Sequence, residues 1–270
     1  MKLFATDLDG TLLLPGDTMH PRDVAAIRAA RDDGVIVTLA TGRLTSRTHP
    51  IARALALDAP LVCADGGVLA CSVSERVLAR RGVPSEVSLA LLDHFEQRSL
   101  ASFVFTHAAI HSCPRGEQHH SFVQGWAHDV TSHADLRRGA FQEHDDAIML
   151  LGIGDAESID ETEANLAPYA HWVDVLRFEL AGVHVIRLLA KGTSKGAALA
   201  ELAESLGVAR EDTAVIGDWL NDLSMFDYAA RSFAMPQAPA ELKQKASEQL
   251  SPSDVARGPI AVALERWLGG

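Results

Sequence analysis

The sequence predicts an α/β fold built on a parallel sheet and interrupted by an α+β insertion. Three observations support this. Short apolar runs alternate with helix-forming segments at the start of the chain, the same signature returns near its end, and the texture between the two is different. Fully apolar strands separated by helices belong to right-handed βαβ units whose sheet is covered on both faces. In order, Leu3–Thr6 is a buried strand that ends in an acidic turn. Pro21 suits the first turn of a helix over residues 21–31, which Gly34 stops. Residues 35–39 are β-branched and lie between Gly34 and Gly42, which marks a second strand. A helix follows within 44–57, its start blurred by Pro50, and Leu61–Cys63 is a third strand. Near the C-terminus Ser194 caps a helix through Leu206, and residues 213–216 form a strand closing on Gly217-Asp218. A helix over 222–228, a strand over 232–234 and an amphipathic helix over 258–268 complete the pattern. Between them lie clustered histidines, a polar connection over 114–120 and alternating segments at 103–106 and 147–153. The expected division is therefore a core of residues 1–82 and 187–270 and an insertion of residues 83–186.

Composition narrows the function classes. Of 270 residues 47% are hydrophobic and 22% charged, as in an ordinary globular protein. Asp and Glu number 36 against 24 Lys and Arg, a net charge of −12 that disfavours nucleic acid and anionic membranes as partners. An anionic substrate would need local groups to overcome that charge. Cys63, Cys71 and Cys113 are too few and wrongly spaced for a disulfide framework or a thiolate zinc site. Asp7 and Asp9 interrupt the apolar N-terminal run, and no segment approaches the ~18 apolar residues of a membrane span. A soluble cytoplasmic protein is expected.

The chemistry concentrates where strands end. In Asp7-Leu8-Asp9-Gly10-Thr11, alternation projects Asp7 and Asp9 the same way at the sheet edge where α/β folds bind ligands. Two adjacent carboxylates repel unless a cation or a reaction centre uses them; an acidic turn with a capping Asp is the plainer alternative. Thr41-Gly42-Arg43 closes the second strand with a hydroxyl and N–H groups that suit an anion, although Thr-Gly is also ordinary turn chemistry. Gly217-Asp218-Trp219-Leu220-Asn221-Asp222 closes the later strand with hard oxygen donors that favour Mg²⁺ over softer metals, or with a helix cap. Lys195 stands in the first turn of its helix, where the dipole disfavours a cation, unless it points at an anion.

Taken in order, Asp-x-Asp-Gly-Thr, Thr-Gly-Arg, Lys-Gly and Gly-Asp-x-x-Asn-Asp resemble the haloacid-dehalogenase superfamily of phosphohydrolases, specifically its Cof-type branch with a type IIB cap. The resemblance implies a Rossmann-like three-layer core and an inserted cap that sets specificity. It also implies roles: Asp7 as nucleophile, Asp9 as general acid and base, and Lys195 neutralising charge. Thr41, Gly42 and Asn221 would bind the phosphoryl group, and Asp7, Asp9 (through its carbonyl) and Asp218 would bind Mg²⁺. Asp222 and Thr11 would support these groups, with Arg43 as a substrate contact. The implied reaction is Mg²⁺-dependent hydrolysis of small phosphomonoesters through an aspartyl-phosphate, by a monomer or homodimer. A phosphomutase and a non-catalytic phosphometabolite sensor are the rival readings.

Two loops depart from the family pattern. Asp65-Gly66-Gly67 stands where Asn-Gly is common, and Met235-Pro236-Gln237-Ala238 where Met-Gly-Asn-Ala is common. His111, Cys113, His119 and His120 match no zinc spacing and read as surface or substrate-facing residues. The Trp219 ring either packs on the sheet or borders the pocket.

Overall fold

In the computed structural model, which describes residues 1–141, 146–180 and 182–269, the strand Leu3–Thr6 lies inside a five-stranded sheet. It pairs in parallel with Thr213–Gly217 on one side and Ile36–Leu39 on the other. Arg231–Ala234 and Glu248–Gln249 extend the sheet beyond Thr213–Gly217, again in parallel. All four residues of Leu3–Thr6 are buried, as a central strand covered on both faces requires. A parallel bridge between Ala40 and Val62 brings Leu61–Cys63 alongside the end of Ile36–Leu39. The chain leaves Leu3–Thr6 toward one side of the sheet and later builds the other side outward from Thr213–Gly217. The order thus reverses next to the first strand, and the carboxyl ends at such a point form a natural ligand crevice.

Helices complete the layers. Pro21–Asp32 packs against Pro259–Leu268, and Asp23 Oδ1 accepts the Ala261 N–H at 2.8 Å, so one helix caps the other. Lys195–Ser205 packs against Leu223–Tyr228. The helix predicted within 44–57 spans Thr45–Ala54 and holds Pro50 in its interior, not at its start. Among the described residues no helix is long and apolar enough to cross a membrane.

Apart from the first residues of the helix Thr45–Ala54, these elements belong to one of two compact units, formed by Met1–Gly42, Thr48–Leu78 and Ser194–Gly270; the other comprises Arg43–Arg47 and Ala79–Thr193. The second unit has a six-stranded sheet in the order Val130–Ser132, Ile110–Ser112, Ala101–Phe105, Met149–Gly154, Val183–Ala190, Val173–Leu180. Every pair is antiparallel except the parallel Val130–Ser132 and Ile110–Ser112. Helices Ser85–Gln97 and Ala156–Ala164 bury Leu91, Phe95 and Ile159 against Val104, Leu150 and Ile186. The strands expected at 103–106 and 147–153 are Ala101–Phe105 and Met149–Gly154. The edges expected at 82/83 and 186/187 lie instead at 78/79 and 193/194. The second edge cannot fall at 186/187, because Val183–Ala190 is one strand paired along its length inside the second unit. An apolar strand reads the same in sequence whichever sheet it joins.

Candidate active site

The first strand delivers Asp7 to the carboxyl edge of the sheet. Its N–H donates to the Ile216 carbonyl at 3.1 Å, which continues the pairing one residue past Thr6 and anchors the carboxylate beside Thr213–Gly217. Asp7 is 5% exposed, whereas Asp9 is exposed. The turn closes when the Thr11 and Leu13 N–H groups donate to the Leu8 carbonyl at 3.2 and 2.8 Å. Gly10 is required there twice over. Its φ is +82°, and a Cβ on it would lie 2.3 Å from Asp218 Oδ2.

Lys195 meets two carboxylates from distant parts of the chain. Ser194 caps the helix by accepting the Ala197 N–H at 3.1 Å, and Lys195 follows as the first helical residue, 1% exposed. Its Nζ donates to Asp7 Oδ1 at 2.6 Å and to Asp222 Oδ1 at 2.7 Å. The unfavourable dipole position is thus compensated by anions, the case in which a lysine there makes sense. Burial alone would lower the Lys195 ammonium, but the charges of Asp222, Asp7 and Asp65 outweigh it and raise it. Asp222 is fully buried, and its Oδ2 accepts the N–H groups of Asp218 and Trp219 at 2.9 and 3.0 Å. It both caps the turn and pairs with the lysine.

Asp218 is held on both oxygens. Thr11 Oγ1 donates to Oδ1 and Gln237 Nε2 to Oδ2, each at 3.3 Å, while Gln237 also donates to the Gly10 carbonyl at 2.6 Å. Burial, reinforced by the Asp222 charge, pushes Asp218 up to about 6. Burial also raises Asp7; Lys195 opposes that rise, and Asp222 and Asp218 add to it.

Thr41 is fully buried just beyond Ile36–Leu39; its N–H donates to the Val62 carbonyl and its carbonyl accepts the Asp65 N–H, both at 2.9 Å. Half-buried Gly42 follows. Asn221 Nδ2 donates to Asp65 Oδ1 at 2.8 Å. Of the residues singled out in sequence, Asp7, Thr11, Lys195, Asp218 and Asp222 form one connected set, and Thr41 and Asn221 join each other through Asp65. Arg43 is buried and opens the short segment Arg43–Arg47 of the second unit. The residues the motifs did not name are Asp65 and Gln237. The available signal was their place in loops directly after core strands, where both departures from the family pattern fall.

Carboxylate oxygens of Asp7, Asp218 and Asp222 lie within 4.8 Å of one another, the one group of three or more possible metal ligands among the described residues. One lysine faces three clustered carboxylates, and burial has raised Asp7 and Asp218. This all-oxygen, under-compensated set fits a hard divalent cation. Asp222 accepts Lys195 and two backbone N–H groups at 2.7, 2.9 and 3.0 Å, whereas the two bonds that Asp218 accepts from Thr11 and Gln237 are both 3.3 Å, so Asp218 is the easier of the two for a cation to engage. Among the described residues, the insertion's histidines form no group of three or more possible metal ligands. His111 Nδ1 lies 2.9 Å from His133 Nε2, His120 Nε2 lies 2.8 Å from Ser112 Oγ, and Cys113 Sγ accepts the Ser102 N–H at 3.2 Å. Trp219 is 42% exposed, so its ring is not packed into the sheet.

The profile of the haloacid dehalogenase-like hydrolases matches residues 4–262. The 5-amino-6-(5-phospho-D-ribitylamino)uracil phosphatase YwtE of Bacillus subtilis (strain 168) is 29% identical, over 100% of this chain and 99% of its own length. The pyridoxal phosphate phosphatase YbhA of Escherichia coli (strain K12) is 28% identical, over 91% of this chain and 92% of its own. A haloacid dehalogenase-like hydrolase from Bacteroides thetaiotaomicron superposes with a TM-score of 0.83 at 25% identity, covering 98% of this chain and 99% of that one. The subclass IIB sugar phosphatase BT4131 shares the fold, with a TM-score of 0.80 at 23% identity over 99% of both chains.

Proposed function

This chain belongs to the haloacid dehalogenase-like hydrolases, as a phosphoric monoester hydrolase, and we propose that it releases phosphate from small metabolite phosphomonoesters through an aspartyl-phosphate, with Mg²⁺ as cofactor. One observation carries the reading: a fully buried lysine grips Asp7 and Asp222, with Asp218 beside them. Lys195 holds Asp7 by Oδ1, which leaves Oδ2 to attack phosphorus in line with the leaving oxygen. The Oδ2–P bond forms as the P–O bond to the leaving group breaks, and Asp9 gives its proton to the departing alkoxide. The more exposed setting of Asp9 suits a group that must reach both a leaving group and, in the second step, a water. Asp9 then takes a proton from that water as it displaces phosphate from Asp7.

Thr41, the Gly42 N–H and Asn221 are the candidates to hold phosphoryl oxygens, with Lys195 offsetting their charge. Asp7 and Asp218, together with the Asp9 carbonyl, would hold Mg²⁺, which when bound screens the repulsion between a carboxylate and a phosphate dianion. Asp222 keeps Lys195 and the Asp218 backbone in place, and Thr11 and Gln237 orient the Asp218 carboxylate. Arg43 is the candidate contact to the rest of the substrate, and the insertion the candidate specificity domain. YwtE and YbhA are named for phosphorylated small molecules, which supports a substrate of that size.

Phosphate release tests this on a panel of pyridoxal 5′-phosphate, sugar phosphates and other small phosphomonoesters. Release that needs Mg²⁺, stops with EDTA and returns with added Mg²⁺ is expected. Release indifferent to EDTA would overturn the metal assignment, and silence across the panel the hydrolase reading of this site.

A further inference from the structure

The turn after Leu61–Cys63 is strained where the chemistry gathers. Ala64, Asp65 and Gly66 have φ of +50°, +53° and +94°, three left-handed residues in a row. Ala64 gains nothing from that region, while Asp tolerates it better than most side chains. Gly66 admits no other residue, since a Cβ there would lie 2.2 Å from the Ser194 carbonyl oxygen. Strain of this kind persists only where surrounding contacts over-determine it. Here they do. The Asp65 N–H donates to the Thr41 carbonyl, its Oδ1 accepts Asn221 Nδ2, and the neighbouring Gly66 abuts the residue that caps the Lys195 helix.

We propose that Asp65 is a positioning residue for the phosphoryl subsite, holding the Thr41 loop with its backbone and choosing the orientation of the Asn221 amide with its carboxylate. The choice follows from hydrogen-bond chemistry. A carboxylate accepts, so the Asn221 amide must turn its NH₂ toward Asp65; one Nδ2 hydrogen is spent there, the other is left to donate to a phosphoryl oxygen, and the carbonyl faces elsewhere. An asparagine at position 65 could accept or donate, and would leave both amide orientations open. Asp65 is buried, so water does not compete for this bond. The inference rests on the reading of Thr41 and Asn221 as phosphoryl-binding groups.

Inorganic phosphate, the expected product, serves as the probe through its inhibition constant for the Mg²⁺-loaded enzyme. Asn221→Ala should raise that constant about tenfold, and Asp65→Ala by about the same factor, as loss of one charge-assisted hydrogen bond predicts. The double variant should be no worse than Asn221→Ala alone, because Asp65 acts through Asn221. Asp65→Asn, which keeps size and left-handed tolerance, should fall between wild type and Asp65→Ala. Additive effects, or an inhibition constant unchanged in Asp65→Ala while the melting temperature falls, would reduce the turn to a structural role and overturn the proposal. Should Asp65→Ala fail to fold, an unchanged constant in Asp65→Asn has the same force. If Asn221→Ala itself leaves phosphate inhibition unchanged, the phosphoryl reading of Asn221 fails and this inference with it; if only the Asp65 variants are silent, the inference alone fails.

Discussion

Two clusters of polar side chains, one in each unit, are assembled in opposite ways. In the first unit Asp7, Lys195, Asp218 and Asp222 come from separate strand ends and a helix start to share one buried volume. In the second, His111 on the strand Ile110–Ser112 leans on His133, just past Val130–Ser132, and Ser112 of the same strand pairs with His120 at the start of a short helix. Burial, with the His133 charge beside it, lowers His111. Converging carboxylates leave a surplus of charge that something must neutralise, whereas side chains hydrogen-bonded in pairs satisfy each other. A high density of histidines is therefore a weaker sign of a metal than three aspartates gathered from two strand ends.

The largest expected effect lies in the converging cluster. Asp7→Asn keeps an acceptor for Lys195 and so should keep the fold, but it removes the carboxylate proposed to attack phosphorus. Phosphate release should drop by about three orders of magnitude or more; turnover within tenfold of wild type would remove Asp7 from the nucleophile's role.

Next is the lysine itself. Lys195→Met strands two buried carboxylates, and breaking a buried pair in this way costs about 3–5 kcal/mol. Lys191→Ala, which removes an exposed pair with Asp174, should cost below about 1 kcal/mol. Urea unfolding of both variants without metal measures the contrast, and equal losses would erase it.

A third test is pH. Asp218 has a folded value of about 6 against an unfolded value near 4, so the folded state holds its proton more tightly. Its contribution to metal-free stability is present below about pH 4 and is lost as pH rises through about 6, with Asp7 shifted in the same direction. Bound Mg²⁺ should reverse this, raising the melting temperature more at pH 7.5 than at pH 5. Asp218→Asn should flatten the metal-free pH profile; an unchanged slope would show that the carboxylate is not strained by its neighbours.

The smallest effect belongs to the histidine pair. His133→Ala should cost about 1 kcal/mol, the value of one hydrogen bond, and added zinc should shift the melting temperature of neither protein. A zinc-induced rise in the wild type alone would give the second cluster a metal function.

Core elements were readable because local rules and tertiary demands agree in them. Glycine boundaries and apolar runs placed Leu3–Thr6, Ile36–Leu39 and Thr213–Gly217 within a residue or so, and the Ser194 cap placed Lys195–Ser205. The inserted unit was less readable. Its strands Met149–Gly154 and Val183–Ala190 are apolar enough to pass for core strands, so nothing local marks the edge at 193/194. Asp65 and Gln237 could be suspected in sequence only as departures from a pattern. Their hydrogen bonds join residues 156 and 227 positions apart, and no local propensity encodes such a distance.

By itself the sequence determined the inventory: which side chains stand at strand ends, in what order, and hence the α/β class and the phosphohydrolase family. Covalent spacing and backbone propensity act over a few residues and leave that much legible. Tertiary structure alone decided that Asp7 is buried while Asp9, two residues on, is exposed, that Lys195 divides itself between Asp7 and Asp222, and that Asp218 is pushed up to about 6. Those outcomes depend on which distant charges share a water-poor volume, and electrostatics in such a volume is set by through-space distance, not by position along the chain.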